Sequence, residues 1–119
     1  MKKILIICLF CFMLVGCSKN TNELGVKKIS CKEKDELVKN GALLIDVRTN
    51  EEYVEKHLND SINISSDIIE LNIGKIVSDL NKEIIVYCKS GNRSSMVADL
   101  LLDMGYKNVY DLGSINNWN

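Results

Sequence analysis

Proline is absent from the 119-residue chain, histidine occurs only at position 57, and basic residues do not outnumber acidic ones. Lys and Arg number 15 against 16 Asp and Glu, which gives a formal net charge of −1. Because nucleic-acid-binding domains normally carry a basic surface, this balance argues against nucleic acid as a partner. No internal repeat or low-complexity segment is visible. With 46% hydrophobic residues, the chain is long enough for one small domain with a single core.

Only one long apolar run is present in the sequence, and it lies at the N-terminus. Residues 4–15 carry no charge and follow Lys2 and Lys3, which is typical of a secretory signal. The run is too short to span a bilayer comfortably. It ends in Leu-Val-Gly before Cys17, which resembles the bacterial lipoprotein signal, with cleavage before Cys17 and lipid on its sulfur. The alternative is an uncleaved anchor helix, and both interpretations tether the domain to a membrane.

This pattern divides the chain into a signal peptide at residues 1–16, a tether at residues 17–25 and a domain at residues 26–119. The tether is polar, which is typical of a flexible linker. We expect a monomeric domain that faces away from the cytoplasm, on the cell surface or in the periplasm, and that is attached to the membrane through Cys17.

The stretch from residue 84 to residue 104 contains the strongest local signals in the domain. Residues 84–87 form a β-branched and aromatic run, which favours a buried strand. Apolar residues then recur at the spacing of one helix face, at Val97, Leu100, Leu101 and Met104. A polar loop joins the two segments, and it begins at Cys88 and closes with Arg93.

This order of strand, loop and helix is suited to nucleophilic chemistry at Cys88. The amides of such a loop point toward the space over the helix N-terminus, where they form a cradle for an anion. The same field stabilises a thiolate, the reactive form of cysteine. The alternative is an ordinary buried cysteine that ends a core strand. Because a strand end does not need a polar loop closed by a cation, the sequence favours the nucleophile.

The loop resembles the active-site loop of rhodanese-type sulfurtransferases, in which a Cys is followed after a short loop by an Arg. Two further blocks resemble the same family. The first block consists of Asp46-Val47-Arg48, Glu52-Tyr53, His57-Leu58 and Ser61-Ile62-Asn63-Ile64. The second block consists of Gly105-Tyr106-Lys107-Asn108-Val109, Leu112-Gly113 and Trp118. The resemblance therefore extends over residues 26–118.

The resemblance implies an α/β fold, a rhodanese-like three-layer domain whose central, mostly parallel sheet is flanked by helices. The alternation of predicted strands and helices favours the same class. The family resemblance also implies that Cys88 takes the outer sulfur of a thiosulfate-like anion as a persulfide. A cyanide-like or thiol acceptor, including a protein thiol, then takes this sulfur. No cofactor and no metal ion are expected.

The residues that follow Cys88 are the candidate substrate-binding residues, namely Lys89, Ser90, Gly91, Asn92, Arg93 and Ser94. We expect the amides of residues 89–93 to bind the persulfide and the donor. Lys89 either attracts the donor or is a solvated surface lysine. Arg93 either binds the anion or clamps the loop by pairing with an acid or with carbonyls. Gly91 permits a backbone conformation that other residues resist, and the remaining polar side chains shape the loop.

Asp46 and Arg48 follow a predicted buried strand, so they lie at the sheet edge that carries the loop. We expect them to support the loop, because a carboxylate beside the thiolate opposes its ionisation. His57 invites a Cys–His pair, but the resemblance places it in a turn away from catalysis. Cys31 is the other cysteine of the domain, and a disulfide with Cys88 is the alternative to a free thiol.

The sequence departs from the family pattern in three places. Lys56 stands where Gly usually precedes the His, Asn59-Asp60-Ser61 replaces Pro-Gly-Ala, and Ser114 replaces the second Gly of a pair. We expect these changes to affect turns rather than the active loop, and to bear on loop geometry more than on chemistry.

Local signals also predict the order of the elements. Strands are predicted at residues 26–30, 42–47, 62–64, 84–87 and 108–111, helices at 31–40, 50–56, 66–80 and after the Cys88 loop, and a final turn at Trp118. Ser30 with Glu33 fits a capping box at the start of the first helix, and Gly41 is a helix stop. Asn50 is predicted to cap the second helix, and Gly74 to break the third.

Two other functions remain open. Cell-cycle tyrosine-type phosphatases resemble rhodaneses in fold, but their loop has a His before the Cys and five residues between Cys and Arg. Here Tyr87 precedes Cys88 and four residues separate it from Arg93, so the shorter loop should fit sulfur better than a tetrahedral phosphate or arsenate. The second alternative is a non-catalytic module that carries or senses persulfide sulfur.

Overall fold

The computed structural model describes residues 25–117. The predicted signal peptide, nearly all of the tether, Cys17 and Trp118 therefore lie outside the described residues. Within the described range, no helix combines the length and the apolar composition needed to cross a bilayer.

Strands and helices alternate along the described chain, and this confirms the predicted α/β class. The strands are β1 (Lys27–Lys28), β2 (Leu43–Asp46), β3 (Ser61–Asn63), β4 (Glu83–Cys88) and β5 (Asn108–Ser114). The helices are α1 (Cys31–Lys39), α2 (Asn50–Glu55), α3 (Ile69–Ile76) and α4 (Asn92–Asp103), and a short 3-10 helix follows at Ile115–Asn117.

The strands form one five-stranded sheet in the order β1-β5-β4-β2-β3, and every pairing is parallel. Parallel strands need crossover connections, and the helices between the strands provide them. β4 lies at the centre, paired with β2 on one side and with β5 on the other. Because the strands run the same way, the carboxyl ends of β2 and β4 meet at one edge of the sheet, where ligands bind in such folds.

The core has two parts, one on each face of the sheet. Alternate residues of β4 point to opposite faces, so Ile84, Val86 and Cys88 join one hydrophobic cluster, which includes residues of α3 and α4. Ile85 and Tyr87 join the other cluster, which includes residues of α1. The predicted three-layer arrangement is thus confirmed. Because the central strand β4 is buried on both faces of the sheet, residues 84–87 form a continuous apolar run.

The predicted start and stop of α1 are confirmed. The Ser30 hydroxyl accepts a hydrogen bond from the Glu33 amide, and the Glu33 carboxylate accepts one from the Ser30 amide, which completes a capping box. The helix ends at Lys39, and Gly41 follows with φ of +105°, a conformation that favours glycine.

The predicted cap of α2 is wrong by one residue, because the N-cap is Thr49 and not Asn50. Thr49 has extended backbone, and its hydroxyl accepts a hydrogen bond from the amide of Glu52, whose carboxylate accepts one from the Thr49 amide. Glu52 at the third helical position thus completes a second capping box, which outweighs the capping preference of Asn50.

The predicted break of the third helix at Gly74 is also wrong. α3 begins only at Ile69 and passes through Gly74 without interruption, because the buried Ile69 and Ile73 hold the helix against the core. The helix ends at Ile76, two residues after Gly74, and the carbonyl of the next residue, Val77, accepts a hydrogen bond from the Tyr106 hydroxyl. Tertiary packing therefore overrides the low helix propensity of glycine.

The ends of the outer strands also differ from the prediction. β1 is limited to two residues, and β5 continues to Ser114 instead of ending at Asp111. A register shift opposite the pair Val86 and Tyr87 leaves Leu112 as an extra residue in β5. This bulge brings Ser114 beside Cys88, at the edge that carries the loop.

Candidate active site

Cys88 is the last residue of β4, and α4 begins four residues later at Asn92. Gly91 is the N-cap of α4 and has φ of +98°, which is the left-handed region that an L side chain rarely adopts. The turn from strand to helix thus requires glycine at this position. As a result, the first turn of α4 starts directly over the end of β4.

The Cys88 sulfur receives two backbone hydrogen bonds from this turn. The amide of Gly91 donates to Sγ over 3.0 Å, and the amide of Ser94 donates over 3.3 Å. The Ser94 hydroxyl donates to the Gly91 carbonyl over 3.2 Å, which holds the two donors in place. Amides at a helix N-terminus favour negative charge, so the arrangement stabilises a thiolate or a persulfide anion.

The donors differ in part from those expected within residues 89–93. Gly91 belongs to that run, but the second amide comes from Ser94, one residue beyond it. Helix geometry explains the difference, since the free amides of α4 extend into its first turn. Cys88 is fully buried, and Ser94 is buried beside it.

Arg93 makes a forked ion pair with Glu52 of α2. Its Nη1 lies 2.8 Å from Glu52 Oε1, and its Nη2 lies 3.3 Å from Oε2. Hydrogen bonding to Arg93, followed by the Thr49 amide, lowers the pKa of Glu52 to about 2. The same pair raises the pKa of Arg93, and negative charge on Cys88 adds to that increase. Arg93 therefore has the geometry of a clamp that ties the loop to α2.

Asp46 and Arg48 form a buried ion pair at the end of β2. The Asp46 carboxylate accepts hydrogen bonds from Nε and Nη2 of Arg48 and from the Arg48 amide. Hydrogen bonding to Asp46 raises the pKa of Arg48. Arg48 also donates to the carbonyl of Lys56, and the Asn63 amide group bonds the carbonyls of Asp46 and Arg48. This pair supports the chain between β2 and β3.

Tyr87 connects the end of β4 to the chain before β3. Its hydroxyl lies 3.1 Å from the Ser61 hydroxyl and accepts a hydrogen bond of 3.1 Å from the Leu58 amide. Burial raises the pKa of Tyr87 to about 12. The Arg48 guanidinium lies 6.0 Å from the centre of its ring. Tyr87 thus fixes the segment that precedes the sulfur.

His57 does not form a pair with Cys88. Its ring stacks on Tyr53 at 3.7 Å, and its Nδ1 lies 2.7 Å from the Tyr53 carbonyl oxygen. Both contacts hold His57 against Tyr53 of α2. Cys31 is likewise separate from the site, since it is a free cysteine that packs with the opposite core cluster.

The outer part of the loop is exposed. The side chains of Lys89, Ser90 and Asn92 face solvent, so they are available to an anion at the rim. The Ser114 hydroxyl donates a hydrogen bond to the Lys89 carbonyl. The departure at Ser114 thus contacts the active loop directly, and the expectation that such departures affect only turns is wrong.

A cleft of about 400 Å³ opens beside the loop. It is lined by Arg48, Glu52, Glu55, Lys56, Lys89, Ile115 and Asn116. The cleft therefore joins the loop, the C-terminal end of α2 and the residues after β5.

Two residues of the site were not among those predicted from the sequence. Glu52 belongs to the block with Tyr53, and the structure shows that it is also the partner of Arg93. Its spacing from Thr49 fits a capping box, which is the signal that the sequence offers. Ser114 departs from a glycine pair, and nothing in the local sequence indicates its bond to Lys89.

The geometry defines a class of protein: an α/β enzyme with a cysteine nucleophile held at a helix N-terminus on the central strand. Comparison with known proteins narrows this class. A family model described as "Rhodanese-like domain" matches residues 30–119.

Curated relatives and solved structures agree with this match. Thiosulfate sulfurtransferase PspE of Escherichia coli (strain K12) is 34% identical over 73 residues, which cover 61% of this chain and 70% of PspE. Thiosulfate sulfurtransferase GlpE of Coxiella burnetii (strain RSA 493 / Nine Mile phase I) is 36% identical over 94 residues, which cover 77% of this chain and 86% of GlpE. A structure described as rhodanese with anions from E. coli is 32% identical, with a TM-score of 0.62, and covers 65% of this chain and 91% of that chain.

The chain belongs to the rhodanese-like domain family, and its enzyme class is that of the rhodanese-type sulfurtransferases. The resemblance drawn from the three sequence blocks is thereby confirmed for the domain.

Proposed function

We propose that the chain moves sulfane sulfur from a thiosulfate-like donor to a thiophilic acceptor through a persulfide on Cys88. The observation that carries this proposal is the pair of amides, from Gly91 and Ser94, that point at Sγ from the start of α4. Two relatives named thiosulfate sulfurtransferase support the choice of donor.

In the first half-reaction, the Cys88 thiolate attacks the outer sulfur of the donor. A bond forms between Sγ and that sulfur while its bond to the sulfonate sulfur breaks, and sulfite leaves with the electron pair. The resulting persulfide carries its negative charge on the outer sulfur, and the two amides at the start of α4 remain bonded to Sγ beside it. Lys89 adds a cation at the rim, and Ser90 and Asn92 lie exposed beside it.

In the second half-reaction, a nucleophilic acceptor attacks the outer sulfur of the persulfide. The new bond forms to that sulfur, and the bond to Sγ breaks and returns its electron pair to the Cys88 thiolate. The acceptor is cyanide or a thiol, including a protein thiol. No cofactor, metal ion or nucleic acid takes part, and the protein acts as a monomer.

Turnover with thiosulfate and cyanide tests this proposal, because thiocyanate production reports both half-reactions. Cys88→Ser should produce none, since a serine hydroxyl is not ionised at neutral pH. Cys31→Ser is the matched control, because it removes the other free thiol of the described domain and should retain the wild-type rate. Thiocyanate production by Cys88→Ser at the wild-type rate would refute the persulfide mechanism.

We further propose that residues 1–16 are a lipoprotein signal, that residues 17–25 form a tether, and that lipid on Cys17 holds the domain at residues 26–119 outside the cytoplasm. The apolar run that ends directly before Cys17 supports this proposal. Labelling of producing cells with radioactive palmitate should mark the wild type and not Cys17→Ala, which should also leave the membrane fraction. Label on Cys17→Ala would rule out this lipid site.

A further inference from the structure

The cleft beside the loop contains charged side chains that the fold leaves unused. Arg48 and Glu52 also line it, but each is already held in an ion pair, with Asp46 and with Arg93. Glu55, Lys56 and Lys89 are different, because their side chains are exposed. Among residues 25–117, none of these three side chains makes an ion pair. One carboxylate and two ammonium groups therefore remain available to a ligand.

Lys56 is the residue that sets this cleft apart from the family pattern. It stands where the pattern has Gly before the His, yet its backbone is extended, with φ of −166° and ψ of 135°. Any residue adopts this conformation, so the turn does not explain the lysine. The Lys56 carbonyl accepts a hydrogen bond from Arg48, which fixes the position of the residue at the cleft wall. The substitution thus adds a cation where the pattern has no side chain.

The cleft borders the active loop. Lys89, which lines the cleft, directly follows Cys88, and Glu52, which also lines it, is paired with Arg93 of the loop. The sulfur itself is fully buried when it carries no extra atom. An acceptor must therefore approach the outer persulfide sulfur from the surface around the loop, and the cleft provides a concave surface there.

We propose that this cleft binds the acceptor, and that the acceptor is a small thiol with both an ammonium and a carboxylate group. The proposal rests on the sulfurtransferase function given above. Glu55 binds the ammonium, and Lys56 and Lys89 bind the carboxylate. The acceptor thiol loses its proton to solvent, its sulfur bonds to the outer persulfide sulfur, and the bond to Cys88 Sγ breaks with return of the thiolate. Lys89 also faces the donor, but the two half-reactions occur one after the other.

Single-turnover discharge of the preformed persulfide tests this assignment without involving the donor. The full chain is loaded with thiosulfate, freed of donor, and mixed with cysteine, with cysteamine, which lacks the carboxylate, or with 3-mercaptopropionate, which lacks the ammonium. Each rate is compared between variant and wild type for the same thiol, so the intrinsic reactivity of the thiol cancels. Exposed ion pairs contribute modestly, so the expected loss per pair is roughly threefold.

Two variants should give a crossed pattern. Glu55→Gln should slow discharge to cysteine and cysteamine more than to 3-mercaptopropionate, and Lys56→Gln should slow discharge to cysteine and 3-mercaptopropionate more than to cysteamine. Glu51→Gln is the matched control, because Glu51 is exposed on the same helix and does not line the cleft. It should behave as wild type with all three thiols.

The outcomes separate the inference from the function on which it rests. If the persulfide forms and Glu55→Gln and Lys56→Gln change all three rates equally, or change none, the acceptor assignment is wrong and the sulfurtransferase remains. If thiosulfate adds no sulfur to Cys88, the proposed function fails, and the acceptor assignment fails with it.

Discussion

Glu52 connects two parts of the molecule through one carboxylate. Its Oε1 accepts hydrogen bonds from the amide and the hydroxyl of Thr49, which cap α2, and from Nη1 of Arg93 in the active loop. Three donors stabilise the ionised form, so the pKa of Glu52 falls to about 2. The position of the loop therefore depends on the start of a helix that lies far from it in the sequence.

Replacement of Glu52 by Gln should destabilise the protein in a pH-dependent way. Gln at the third helical position still completes a capping box, so the change removes mainly the charge that faces Arg93. Because the folded-state pKa is lowered, the ionised carboxylate stabilises the fold above pH 4.5, and this stabilisation is lost as the pH falls toward 2. The pair is partly exposed, so we expect a loss of about 1 kcal/mol at pH 7.

Urea unfolding of wild type and Glu52→Gln at a series of pH values measures this effect. The two unfolding free energies should differ most at pH 7 and converge as the pH is lowered from 4.5 toward 2. Glu51→Gln provides the control for a lost charge on the same helix. A constant difference over this range would show that the Glu52 charge does not stabilise the folded state.

Ser114 is a second residue whose effect is local and measurable. Its hydroxyl bonds the Lys89 carbonyl and so ties the first peptide of the loop to the end of β5. Ser114→Ala should cost about 1 kcal/mol, the usual contribution of a hydrogen bond, and Ser114→Gly somewhat more because glycine also adds backbone freedom. Both variants should speed hydrogen exchange at the Gly91 and Ser94 amides.

Denaturant unfolding and amide exchange by NMR measure these changes. Ser78→Ala is a suitable control, because Ser78 is exposed and lies away from the loop. Unchanged exchange at both loop amides in the Ser114 variants would mean that β5 does not order the loop.

At the scale of elements, the unit formed by β4, the loop and α4 follows closely from its own sequence. The run at residues 84–87, Gly91 as the turning point and the helical spacing from Val97 are local signals, and local structure agrees with them. Gly74 shows the limit of such signals. α3 continues through Gly74 because Ile69 and Ile73 are buried in the core. The helix propensity of glycine does not predict this packing.

The length of the loop should determine how well the amides reach the sulfur. One Gly inserted between Gly91 and Asn92 moves the left-handed turn away from the helix start, so the Gly91 and Ser94 amides no longer converge on Sγ. We expect the rate of sulfur transfer to fall roughly tenfold or more, because the insertion removes one or both of the preorganised hydrogen-bond donors. The wider loop is also expected to admit weak phosphatase or arsenate reductase activity.

Thiocyanate production and phosphate release from a small aryl phosphate measure both activities. An equal insertion between Asn59 and Asp60, in an exposed turn, controls for the general cost of lengthening the chain. A wild-type rate of sulfur transfer in the Gly91 insertion would show that loop length does not set the selectivity.

At the scale of the whole molecule, the parallel sheet brings together residues that the chain order keeps apart. The pairing of β2 with β4 places Asp46 opposite Tyr87 in register. Because these strands are neighbours, Glu52, which follows β2 in the chain, can pair with Arg93, which follows β4. Sequence patterns predicted the class of fold, the loop and its cysteine, because these depend on local spacing. They did not predict the partner of Arg93 or the contact of Ser114, because both depend on which strands are neighbours.

Mass spectrometry of the protein after treatment with thiosulfate tests most directly whether Cys88 carries the transferred sulfur. Intact mass followed by peptide mapping should show the mass of one added sulfur atom on the peptide that contains Cys88. Cyanide should remove this mass, Cys31→Ser should still acquire it, and Cys88→Ser should not. Added sulfur on Cys31 with none on Cys88, or no added sulfur on the wild-type protein, would contradict the mechanism.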